Sequence, residues 1–220
     1  AGFAAVGEPI VNRVLVKRMR VRDAILSVKL DMIFGFFVTT LLTNFLTFPF
    51  FEAINTFCSA LPVSPSATGI IAGFVYTTAT LPVTNYRYRK SMQLEVDRNS
   101  WYQAYPATLL RDVTYSVVRN YATTWVLGCS PHWKAADGHV MFIVVILACL
   151  VASPFNELRG YSLQPAGQER EFREFFRPVH CLRSTVIGSL KQSLSLGVGY
   201  WCAPSAGRLA RAALASICPR

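Results

Sequence analysis

Three prolines set the frame of this chain. Pro9, Pro82 and Pro154 lie 73 and 72 positions apart, and each follows an apolar stretch and precedes basic residues. A short link and another long apolar segment come after each cluster. Self-similarity at a fixed period marks a repeat architecture, and the repeating unit here reads as a pair of helices. Residues 66–93 give the clearest copy. Gly69, Ala72 and Gly73 place small side chains about one turn apart, the pattern that lets membrane helices approach closely. Pro82 would break a soluble helix, whereas packed neighbours in a membrane re-satisfy the backbone it frees.

Composition agrees with a membrane reading. The 220 residues are 52% hydrophobic and only 15% charged, fewer charges than a soluble domain of this length carries. The formal net charge of +10 would ordinarily suggest nucleic acid. Here the basic residues flank apolar runs and form no stripe between aromatics, so no nucleic-acid partner is expected. Residues 31–57 are almost uncharged and long enough to cross a hydrocarbon layer of roughly 30 Å, which takes about 20 residues. Further helix-like apolar segments cover residues 101–128, 138–164 and about 183–217. Only eight residues precede Pro9, so the first helix is expected to be truncated in this chain.

Arginine and lysine crowd the links that follow the three prolines, and the opposite links carry only Lys134. By the positive-inside bias this puts the proline-side links on one face and both termini on the other. The expected fold is an all-α membrane protein with six transmembrane helices. It forms one domain of three pseudo-repeats, at about 1–60, 61–133 and 134–220. Trp101, Tyr102, Trp125, Trp133, Tyr200 and Trp201 are expected in the interfacial aromatic belt.

Pro82, Arg87 and Arg89 fall on the pattern Pro-x-acid-x-x-base-x-base, with Thr84 in place of the acid. Pro154 and Arg159 repeat it, with Asn156 in the acid's place, and Val11 and Val14 stand at both positions in the first repeat. In these features, and in the threefold spacing, the chain resembles the mitochondrial carrier family and is expected to share its six-helix bundle. In that family the paired acids and bases of the odd helices close the matrix side. The resemblance therefore implies that Pro82, Arg87, Arg89, Pro154 and Arg159 are remnants of that gate. With the acids replaced, no interhelix ion pair of the family type is expected. A second network on the even helices needs an aromatic-acid-x-x-base pattern. Phe51 and Glu52 match it, Asn55 replaces the base, and residues 123–125 and 201–204 keep nothing of it. No kink proline is expected in the even helices, with Thr114 at one such position. The links look too short for matrix helices.

The family's substrate contact points fall near Thr39 and Thr40, Arg111 and Asp112, and Lys191 and Gln192. An arginine beside an acid at the second point is similar to carriers of amino acids, because the two groups would hold a carboxylate and an amine. The simpler expectation is that Arg111 and Asp112 pair with each other. The resemblance further implies that Arg18, Arg87, Arg89 and Lys90 contact lipid headgroups such as those of cardiolipin. A bound phospholipid is the only small molecule expected.

Nothing in the sequence argues for an enzyme. Cys58, Cys129, Cys149, Cys181, Cys202 and Cys218 lack metal-ligand spacing, and His132, His139 and His180 are isolated. There is no nucleophile elbow, P-loop or glycine-rich dinucleotide motif.

The expected function follows from what the resemblance keeps and what it lacks. It is a carrier-derived, transport-inactive accessory subunit of a respiratory-chain complex in the mitochondrial inner membrane, with cytochrome c oxidase ahead of other hosts. Its partners would be the other subunits and phospholipid. The alternative is a divergent transporter of an amino acid or carboxylate. Further alternatives are an ATP synthase accessory subunit and an outer-membrane docking factor.

Overall fold

A computed structural model describes residues 2–60, 62–130, 132–165, 167 and 169–217, with backbone alone for 48, 59, 99 and 203–217. Cys218 lies outside the described residues, as does the side chain of Pro204. Among the described residues every regular element is helical. Six long helices are α1 (Gly2–Val16), α3 (Leu30–Ser59), α4 (Pro65–Met92), α5 (Tyr105–Cys129), α6 (Gly138–Ser162) and α8 (Pro178–Ile217). Short helices α2 (Val21–Leu26) and α7 (Phe172–Phe175) and a 3-10 turn, Arg98–Ser100, occupy the three links that follow the internal prolines. The links, which looked too short for matrix helices, thus hold only these brief helical turns. Six, three and four residues are too few to leave a periodic signature in sequence.

Each long helix packs on the next in chain order, and α8 packs back on α1, so the six close into a ring. Local sequence sets the ends of α4. The Ser64 hydroxyl accepts a hydrogen bond from the Ala67 amide, Pro65 follows in the first turn, and Gln93 closes the helix in the left-handed region at φ 58°. Pro82 lies inside α4, Pro9 inside α1 and Pro154 inside α6. Among the even helices, Pro49 lies inside α3, while Pro106 and Pro178 stand in the first turns of α5 and α8.

The small-residue stripe of α4 has a direct use. A Cβ on Gly69 would sit 2.6 Å from Val117 Cα, and one on Gly73 would sit 2.6 Å from Val113 Cα. The backbones of α4 and α5 therefore meet at these two positions, an approach that only glycine allows.

Large apolar side chains cover the outside of the ring. Phe34, Phe45 and Leu46 of α3 and Trp125 of α5 are all exposed by more than three-fifths. In water such a surface would be an aggregation hazard; against lipid it is matched. Among the described residues, three helices are long and apolar enough to cross a membrane: Leu30–Cys58, Pro65–Met92 and Gly138–Ser162. The α5 and α8 helices are long enough but carry Arg111, Asp112, Arg119 and Lys191. A helix whose inner face bears charge loses mean hydropathy even when its outer face is apolar.

Candidate functional site

Polar side chains converge inside the ring at three levels. At the link end, the chain leaves α1 through Arg18, a left-handed residue at φ 54° that turns its side chain back into the bundle. Its guanidinium donates to Glu157 of α6 at 2.5 Å and to Ser184 of α8 at 3.2 Å, and lies 3.6 Å from the centroid of the Phe175 ring. The two charged side chains are 0% and 4% exposed. Ser184 also donates to Glu157, which ties α6 and α8 directly. Burial this complete makes the pair strongly interdependent: the two charges satisfy each other, and either one alone would be stranded.

One level further in, Glu8 of α1 accepts from Arg87 of α4 and pairs with Lys191 of α8 at 3.3 Å. Arg87 also donates to Asn44 of α3 at 2.5 Å. Four long helices thus meet around one carboxylate. Close by, Arg111 pairs with its neighbour Asp112 at 2.7 Å, and Asp112 accepts a further bond from Thr77 of α4 at 2.9 Å.

At the opposite end, Glu52 of α3 pairs with Arg119 of α5 at 2.8 Å and accepts from the Tyr200 hydroxyl of α8, also at 2.8 Å. Arg119 lies 4.9 Å from the Phe51 ring centroid, which adds a cation–π contact. All three even helices are joined here.

Interhelix ion pairs do form, although not of the family type, whose acid positions hold Val11, Thr84 and Asn156. The acids exist but stand off the repeat register: Glu8 is one turn before Val11, and Glu157 is the residue after Asn156. Likewise Arg119 lies one turn before Thr123, so the even-helix base escapes a motif search. An acid close to the first and third proline motifs, Glu8 beside Pro9 and Glu157 after Pro154, was the available signal.

The other expected site residues divide. Arg18 and Arg87 do not face lipid headgroups, because their side chains are 0% and 13% exposed and bonded inside the ring. Lys90 is exposed and 5.8 Å from the Tyr86 ring, and Arg89 donates to the Glu95 carbonyl, so both remain at the link surface. Thr40 is buried and bonds the Phe37 carbonyl of its own helix; Thr39 and Gln192 are half-buried. Pro82 is half-buried and Pro154 is exposed. Arg159 is 5% exposed, and its Nε has no hydrogen-bond partner.

Compared with known proteins, the chain matches no family model, none of the curated proteins and none of the solved structures.

Proposed function

We infer that this chain is a membrane-embedded, carrier-like helical bundle that serves as a structural subunit of a larger membrane assembly. The observation that carries this reading is the pairing of charges at the substrate-contact-like level. Arg111 is matched by Asp112 and Lys191 by Glu8, all within the chain. Groups that satisfy one another offer little to a zwitterion, which would have to break both pairs in order to bind. The buried Arg18–Glu157 pair supports the same reading, since opening that end would separate two charges away from water. All six long helices of the ring are taken as spans. The resemblance to mitochondrial carriers supports a place in the inner membrane and a respiratory-chain complex as host.

Native electrophoresis of mitochondria in mild detergent, with mass spectrometry of the band, tests this reading. Comigration with a large complex is expected, and migration as a small monomer would overturn it.

A transporter of a carboxylate or amino acid is the second reading. It is favoured by the presence of interhelix networks at both ends of the ring, Glu8–Arg87 towards the links and Glu52–Arg119–Tyr200 opposite. Uptake of a labelled substrate panel into proteoliposomes containing the purified chain would establish it.

A further inference from the structure

Two buried arginines belong to no ion pair among the described residues: Arg13 of α1 donates to the Pro9 and Ser91 carbonyls, whereas Arg159 of α6 has no such partner. Arg159 is 5% exposed, its Nε is unpartnered, and none of the ion pairs among the described residues includes it. The groups within electrostatic reach of it are Arg111 and Asp112 of α5, Tyr88 of α4 and Glu8 of α1. Because these come from helices on different sides of the ring, Arg159 faces the interior and not lipid.

The interior charge does not balance. Arg87, Lys191, Arg111 and Arg159 are cationic, and Glu8 and Asp112 are the carboxylates they share. The first three are engaged with those two acids, which leaves Arg159 without a counter-charge. An arginine keeps its proton at physiological pH, so it cannot escape burial by becoming neutral. A charged group inside a membrane bundle is costly unless an opposite charge or a full set of hydrogen bonds meets it. A planar guanidinium with free donors is shaped to receive a carboxylate or phosphate through two parallel hydrogen bonds.

We propose that the ring interior holds a small oxyanion on Arg159, a carboxylate or an inorganic phosphate, in the place of the acids that the three proline motifs lack. The bound anion supplies the missing negative charge and joins α6 to the Glu8–Arg87–Lys191 cluster. This inference is independent of whether the chain sits in a larger assembly, because it concerns a counter-ion within the bundle itself.

The test is thermal unfolding of the purified full chain in uncharged detergent, followed by tryptophan fluorescence. Inorganic phosphate and succinate are titrated separately, at constant ionic strength made up with chloride. At least one of them is expected to raise the midpoint saturably, by about 5–10 °C once it exceeds its dissociation constant a hundredfold. Which of the two acts separates an inorganic ion from a metabolite carboxylate. Arg159→Gln should abolish the shift, while Arg183→Gln near the start of α8 should keep it. No midpoint change in the wild-type chain with either anion would overturn the proposal, whatever the variants do. A shift that survives in Arg159→Gln would overturn it as well. A variant that fails to fold leaves the wild-type titration to decide.

Discussion

Arg18 and Glu157 are 139 positions apart in sequence and 2.5 Å apart in space. Their pairing ties the exit of α1 to α6, and through Ser184 to α8. Removing one partner strands the other in a site with almost no solvent. Glu157→Ala should therefore destabilise the folded chain by about 3–5 kcal/mol. The paired replacement Arg18→Met with Glu157→Leu should recover most of that loss, because a matched apolar pair leaves no orphan charge. Denaturant unfolding in micelles measures both, and a cost near zero for Glu157→Ala would show that the pair does not hold this end together.

At the far end, Glu52 and Arg119 are 32% and 10% exposed, so partial solvation weakens their mutual dependence. A double-mutant cycle with Glu52→Gln and Arg119→Gln should give a coupling of about 1 kcal/mol, near the low end for residues in contact. Tyr200→Phe removes the second bond to Glu52 and should cost about 1 kcal/mol by itself. A coupling indistinguishable from zero would mean that the even helices are joined by packing alone.

The α4–α5 contact gives a steric prediction. Gly73→Leu must push Val113 of α5 aside, since even a Cβ would meet its backbone, and should cost about 3 kcal/mol. Gly128→Ala is the control. A Cβ there meets nothing within 4 Å, and the substitution should be close to neutral.

Much of this fold was legible because the helices that carry it are long. The uncharged run at 31–57 became Leu30–Ser59, and the small-residue stretch at 66–93 became Pro65–Met92. Length and continuous apolarity are signals that survive one or two residues of uncertainty at each end. The segment expected at 101–128 starts later, at Tyr105, because Ala104 adopts φ 58° and residues 101–104 form turns. The last helix starts earlier than expected, at Pro178, with proline in its first turn.

The interior contacts were far less legible. A motif fixes residue type at a fixed offset, whereas an ion pair needs only that two side-chain ends meet. Glutamate and arginine have reach enough to pair from a turn away. Glu8 can therefore serve Arg87 although Val11 occupies the motif position, and Arg119 can serve Glu52 from outside its own pattern. Arg18 was misread for a related reason. In sequence it belongs to a basic cluster, but a left-handed backbone at that one residue turns it inward while Arg20 stays exposed.

The one-to-one pairing of Arg111 with Asp112 predicts a quiet phenotype there. Arg111→Ala with Asp112→Ala removes both members of the pair, and assembly of the chain into its host should be unchanged. Loss of a transport activity in that double variant, measured in proteoliposomes, would favour the second reading.

The central claim is that this bundle works as part of a larger membrane assembly. The most direct measurement is mild-detergent native electrophoresis of mitochondria, with mass-spectrometric identification of every subunit in the band that contains this chain. The account predicts a band far larger than 24.5 kDa that also holds the subunits of a respiratory-chain complex. A band containing this chain alone, at the size of one chain in its detergent belt, would contradict it.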